Sequence, residues 1–180
     1  MIEVDGIRGH FINGDLEFLQ AIVKHTHPRL IAEIGSFCGL SAVAMASAYS
    51  GSVVLCHDTW QGSEGWTKEW TEGIDREFSA NVDRLGFRGR IHPVCGDSKK
   101  TAALYPDGFF DLVFIDGDHC EAGCYGDLVA WYPKCAGAFI GHDRVPGGGV
   151  DKATARFVRE HHGLRISEIP NTHYMWKIDR

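Results

Sequence analysis

Seven acidic or imidazole side chains fall at or just beyond the points where apolar runs stop: Glu33, Asp58, Asp97, Asp116, His119 and the adjacent pair His142 and Asp143. A carboxylate in such a place can accept hydrogen bonds from hydroxyls or hold a cation. An imidazole with an ordinary pKa near ~6.5 can take a proton at neutral pH. The first of these residues opens the run Glu33-Ile34-Gly35-Ser36-Phe37-Cys38-Gly39-Leu40-Ser41, in which Gly35 and Gly39 would let a ligand approach the backbone closely. A dinucleotide pyrophosphate calls for G-x-G-x-x-G with a helix amino end aimed at the anion. Here one glycine is missing and Glu33 would repel a phosphate, so the turn suits a cationic or hydroxylated ligand. Asp58 stands where a carboxylate receives ribose hydroxyls. Adenosine carrying a cationic amino-acid tail satisfies both constraints.

His119 is the candidate proton acceptor, with a competing reading as the cap of a helix that starts at Glu121. Asp97, directly before Ser98-Lys99-Lys100, is equally good as a helix cap. Trp60, Trp66 and Trp70 lie in residues 59–73, a stretch without clear period. They could close over a ligand, pack a helix on the sheet or cover a dimer contact. Pro146-Gly147-Gly148-Gly149 suggests a mobile loop at the same edge.

These residues need a scaffold that brings strand ends together, and the pattern predicts one. Short β-branched runs at 30–34, 52–56, 90–95, 110–115, 136–140, 164–169 and 174–178 alternate with amphipathic runs at 15–25, 40–49, 74–85, 99–104, 121–132 and 150–161. That alternation marks a parallel sheet between helix layers, with ligands at its carboxyl edge. Only Pro170 to His173 separates the last two strands, so they should form an antiparallel hairpin.

Bulk properties narrow the partners. With 180 residues, 44% of them hydrophobic, one core and a single domain over residues 1–180 are expected. A net charge of −6, with no basic run longer than Lys99-Lys100, argues against nucleic acid. No segment has the ~20 apolar residues of a membrane span and the start lacks a signal-peptide pattern, so a cytoplasmic, membrane-free protein acting on small molecules is expected. The six cysteines read as reduced thiols, although Cys120 and Cys124 next to His119 raise a zinc or redox alternative.

Taken together, Glu33-Ile34-Gly35-Ser36-x-x-Gly39-x-Ser41, His57-Asp58-Thr59-Trp60, Gly96-Asp97-Ser98, Asp111 through His119 and Gly141-His142-Asp143 resemble class I S-adenosylmethionine-dependent methyltransferases. The branch they resemble is the small bacterial one that includes macrocin O-methyltransferase and cephalosporin-hydroxylase-type proteins. The Ile-Asp-Gly-Asp-His run is the most specific piece. The resemblance implies a Rossmann-like three-layer α/β sandwich with seven strands in the order 3-2-1-4-5-7-6, the last antiparallel. It implies S-adenosyl-L-methionine as cofactor, with Glu33, Gly35, Ser36 and Gly39 along its methionine part, Asp58 on the ribose and Asp97 with Ser98 at the adenine edge. Ser41, Trp60 and Asp116 complete the cofactor-facing set. It further implies that Asp116, His142 and Asp143 match the positions where metal-dependent relatives hold Mg2+, and that His119, aided by Asp116, is the catalytic base of an O-methylation. His142 departs from that pattern, since magnesium prefers oxygen. Another divalent metal, a base at His142, or no metal at all would each account for it. The rivals are a non-catalytic cofactor-binding module or subunit of a larger assembly, and a homodimer fits the opening helix and the aromatic residues.

Overall fold

A computed structural model describes residues 2–4, 6–12, 14–62 and 66–179. Positions 63–65 of the tryptophan-rich segment, and positions 1, 5, 13 and 180 of the expected domain span, lie outside the described residues.

The chain begins with a two-stranded antiparallel ribbon, β1 (Ile2–Val4) and β2 (Ile7–Gly9), which the sequence pattern does not announce. There follow α1 (Asp15–Thr26), β3 (Leu30–Ile34), α2 (Leu40–Ala48), β4 (Val53–Asp58), α3 (Lys68–Thr71), α4 (Ile74–Arg84), β5 (Ile91–Cys95) and α5 (Ser98–Ala102). The second half contributes β6 (Phe110–Ile115), α6 (Glu121–Trp131), a 3-10 turn at Tyr132–Lys134, β7 (Cys135–Gly141), α7 (Gly149–Glu160), β8 (Arg165–Glu168) and β9 (Trp176–Asp179). Seven strands form one sheet in the order β5-β4-β3-β6-β7-β9-β8. The first five run parallel, and β9 is antiparallel to both β7 and β8. This is the expected Rossmann-like sandwich, with strand order 3-2-1-4-5-7-6 when counted within the sheet.

Strand pleating divides the core into two layers. Ile31, Leu112, Phe114 and Ile140 face α1, α2 and α4, where Leu19, Val23, Met45 and Phe78 are buried. Ala32, Ile34, Val113, Ile115 and Phe139 face α6 and α7, where Leu128, Trp131 and Phe157 are buried. Alternate residues of central strands serve opposite layers, so these strands are mostly apolar, as parallel sheets covered on both sides require. α2 is buried along most of its length. By contrast, α1 and α7 bury one face each, α1 with acids in its first turn and Lys24 and His25 in its last, in accord with the helix dipole.

The ribbon is fastened across the sheet's carboxyl edge. Arg8 makes a forked ion pair with Glu77 of α4, and its guanidinium lies 5.2 Å from the Phe37 ring centroid.

Candidate active site

Parallel strands bring their carboxyl ends to one edge, and there a cleft of about 1070 Å³ opens between the glycine turn, the ends of β4, β6 and β7, and the ribbon. Gly35, Ser36, Ser41, Asp58, Asp97, Ser98, Asp116, His119 and Asp143 all line it. The volume is at the upper end of what small-molecule sites use.

The turn owes its shape to contacts no other residue permits at Gly35. With φ at +85° and the Asp116 carbonyl 2.1 Å from where a Cβ would stand, any side chain would collide with backbone. Asp58 pins the turn from the next strand. Its Oδ2 accepts the Ser36 and Phe37 N–H groups at 2.8 and 2.9 Å, and its Oδ1 accepts that of Trp60 at 2.7 Å. Asp58 therefore builds the turn as well as bordering the cleft. Trp60 turns away from the cleft, its indole N–H donating to the Phe37 carbonyl at 3.0 Å and its ring packing 5.1 Å from that of Phe78. It buttresses the turn, whereas Trp66 does line the opening.

Glu33 lies beneath the turn instead of along the cleft, because strand pleat directs it at α2. It is fully buried, and its two oxygens accept the hydroxyls of Ser36 and Ser41. Gly39 caps α2 against Phe78, likewise behind the cleft wall. Burial lifts the Glu33 carboxyl from 4.5 to about 7, against the pull of the two serine hydroxyls. A folded-state pKa above the unfolded value means that this residue's contribution to stability is complete below about pH 4.5. It is lost as pH rises through about 7, by roughly 3 kcal/mol. Glu33→Gln should remove that dependence. Between pH 5 and pH 9 thermal melts of the parent protein should fall by roughly 6–12 °C relative to the variant. Parallel curves for the two proteins would show that Glu33 is ionised at no such cost.

At the adenine end expected from the resemblance, Asp97 caps α5 by accepting the Lys99 N–H at 2.9 Å. The Ser98 hydroxyl donates to Asp127, which is buried on α6. His57, present in the motifs but without an assigned role, is buried beneath the cleft with Nδ1 3.0 Å from the Thr101 hydroxyl. Burial lowers its pKa to about 4, which keeps it neutral.

The polar centre of the site gathers residues from three segments: the loop after β6, the end of β7 and the start of α1. His119 Nε2 lies 3.3 Å from Asp143 Oδ2 and 3.6 Å from Asp116 Oδ1, and its side chain is 49% exposed. His142 Nδ1 lies 3.5 Å from Asp116 Oδ1 and 3.4 Å from Asp143 Oδ1. Asp143 has φ of 57°, the left-handed region that aspartate tolerates better than most residues and that turns its carboxylate back to the cluster. The Asp116 carboxylate holds the His119 pKa above its usual value, against burial. Burial works to raise Asp116, but the two imidazoles outweigh it and its carboxyl is held low. Burial, then the charge of Asp116, pushes Asp143 up. Burial likewise opposes charge on His142, yet the carboxylates of Asp116, Asp15 and Asp143 overcome it and raise its pKa. Such a field favours a positive charge at this spot.

Sequence reasoning missed two contributors. Asp15 is fully buried behind His142, His10 borders the cleft together with His173, and nothing in the spacing of Asp15 and His10 links them to the rest. The alternative reading of Cys120 and Cys124 as a shared site does not match their placement. Cys120 is an exposed cap whose Sγ accepts the Gly123 N–H at 3.2 Å, while Cys124 is buried in the core. Nor do the glycines after Pro146 make a free flap. Gly149 begins α7 with no room for a Cβ, which would lie 2.3 Å from the His119 carbonyl, so its smallness brings α7 against the loop that carries His119.

Comparisons with known proteins agree with this geometry. A family model described as a methyltransferase domain matches residues 32–143, from the glycine turn to Asp143. Catechol O-methyltransferase of Mycobacterium tuberculosis is 28% identical over 169 residues, covering 85% of this chain and 70% of its own. Among solved structures, the O-methyltransferase of Bacillus cereus in complex with S-adenosylhomocysteine superposes with a TM-score of 0.70 at 17% identity, over 96% of this chain and 83% of that one. The S-adenosylhomocysteine-bound methyltransferase of Podospora anserina gives 0.71 at 16% identity, over 91% and 76%. Among the described residues, no helix is long and apolar enough to cross a membrane. With the family model spanning more than half of the 180 residues, the chain belongs to the methyltransferase-domain family and is a class I S-adenosylmethionine-dependent methyltransferase.

Proposed function

We propose that this protein methylates a hydroxyl of a small aromatic or carbohydrate-like acceptor, with His119 as general base and a divalent ion held by Asp116, His142 and Asp143. The observation that carries this reading is the cluster itself. A half-exposed imidazole stands beside two carboxylates in the same cleft that the glycine turn and Asp58 border. When bound, S-adenosylmethionine would supply the methyl group as an electrophile on sulfur and leave as S-adenosylhomocysteine. His119 lines the cleft half-exposed, where its imidazole can receive the proton that an acceptor hydroxyl gives up as its oxygen gains the methyl. The cleft walls align the reactants and exclude water, an effect that can supply ~7–11 kcal/mol.

The donor set fits a cation. Oδ1 of Asp116 is buried and makes no hydrogen bond, and one ligand atom each from Asp116, His142 and Asp143 lie within 4.8 Å of one another. When bound there, a divalent ion would lower the pKa of a coordinated hydroxyl.

Acceptor chemistry follows from the aromatic residues that line the same cleft. Phe37 and Trp66 meet edge to face at 5.4 Å, and His10 lies 5.8 Å from the first and 5.9 Å from the second. This aromatic rim suits a flat ring, in keeping with the name of the mycobacterial relative. The test is transfer of labelled methyl from S-adenosylmethionine to a panel of catechols, phenols and sugars, each with and without added Mn2+, Zn2+ or Mg2+. Hydroxyl methylation that rises with a divalent ion is expected. Tight S-adenosylhomocysteine binding with no transfer to any acceptor would favour the non-catalytic module instead.

A further inference from the structure

A carboxylate in the first turn of a helix ordinarily faces solvent, yet Asp15 of α1 is fully buried. Both of its oxygens are engaged. Oδ1 accepts the His173 backbone N–H at 2.7 Å, and Oδ2 accepts that of Ile12 at 2.9 Å while lying 3.3 Å from His142 Nε2. Asp15, His142 and His173 also have potential ligand atoms within 4.8 Å of one another, but the backbone donors already on Asp15 leave it poorly suited to bind an ion directly. Its effect is exerted through His142. An Nε2–H donated to Asp15 fixes Nδ1, the atom that faces Asp116 and Asp143, as the nitrogen that gives up its proton and offers its lone pair when an ion binds.

The separations of 3.4 and 3.5 Å from Nδ1 to those carboxylates are long for hydrogen bonds. They match the edges, roughly 3.4 Å, of a tetrahedron of ligands about 2.1 Å from a central ion. A carboxylate behind a ligating imidazole fixes its tautomer and ring orientation and strengthens it as a ligand. Magnesium gains little from such a donor, because it wants near-octahedral oxygen and sheds water reluctantly. We propose that Asp15 is a positioning residue that presents His142 Nδ1 to the Asp116 and Asp143 carboxylates, so that this site takes a nitrogen-tolerant first-row ion of the manganese, iron or zinc class in preference to magnesium. The inference rests on the metal reading given above and adds the ion class and the residue that sets it.

Calorimetric titration of chelator-stripped protein with MnCl2, ZnCl2 and MgCl2 tests it, with electron spin-echo spectroscopy of the Mn2+ complex as a second readout. Mn2+ and Zn2+ should bind at least ~10-fold more tightly than Mg2+, and the Mn2+ spectrum should show coupling to an imidazole nitrogen. Asp15→Asn should weaken Mn2+ binding roughly 10–100-fold, with Mg2+ affected less. His142→Asn, which restores an all-oxygen donor set, should abolish the nitrogen coupling and swing the preference toward Mg2+. That variant decides the matter should Asp15→Asn fail to fold. If no ion binds the parent protein, the metal reading falls and this inference with it. If Mg2+ binds as tightly as Mn2+, if nitrogen coupling is missing, or if folded Asp15→Asn retains parental Mn2+ affinity, the metal reading stands and the role of Asp15 is overturned.

Discussion

His119→Ala is expected to lower the rate of methyl transfer by roughly 10²–10⁴-fold, the usual contribution of a positioned general base. Cofactor affinity should change little. The side chain is 49% exposed and its charged neighbours are Asp116 and Asp143, so its loss creates no cavity. The backbone packing of this loop against Gly149 involves the His119 carbonyl, which alanine retains. Single-turnover kinetics and S-adenosylhomocysteine calorimetry separate the two effects. A second signature distinguishes a base from a merely structural residue: acceptors with more acidic hydroxyls need less help, so the variant should lose progressively less rate along a series of increasingly acidic phenols. A uniform loss across that series, or turnover within about threefold of the parent, would remove His119 from proton transfer.

How far such a site can be read from a sequence depends on whether the relevant forces are local. β3 and β6 match their expected limits at both ends, because short, mostly apolar runs ended by a turn-forming residue, Gly35 after β3 and Asp116 after β6, are how strands buried on two faces are written. β4 runs two residues past its expected end, since His57 and Asp58 remain in register with Val94 and Cys95 of β5. Their polarity resembles a loop, but the ladder satisfies their backbone. The ribbon of β1 and β2 has strands of three residues each, too short for any period to show. Glu33 illustrates a subtler limit. A carboxylate at a strand end reads as a ligand residue, and only the pleat, which points it at Ser41 on α2, shows it to be an internal brace for the turn. Asp15 is the least legible of all. An acid at the start of a helix is what the dipole favours, so its position arouses no suspicion, and the histidine it faces is 127 residues away in the chain.

Asp58→Ala should weaken S-adenosylhomocysteine binding by at least ~10²-fold and lower thermal stability as well. The carboxylate accepts three backbone N–H groups, from Ser36, Phe37 and Trp60. Hydrogen bonds to a charged acceptor contribute about 1.5–3 kcal/mol each, and alanine would abolish all three. Asp58 is only half-buried, so water recovers part of that sum, leaving about 3 kcal/mol as the expected penalty on holding the turn in its binding shape. The effect belongs to shape first. Gly35 at φ +85° and Ser36 must stay where the strand end places them for the cleft wall to exist, and Trp60 closes the same latch by donating to Phe37. Asp58→Asn keeps one carbonyl oxygen and should fall between the parent and alanine variants. Calorimetry well below the melting temperature of each variant separates lost affinity from lost fold, and an alanine variant that binds with the parental Kd would mean that the turn holds its shape without this carboxylate.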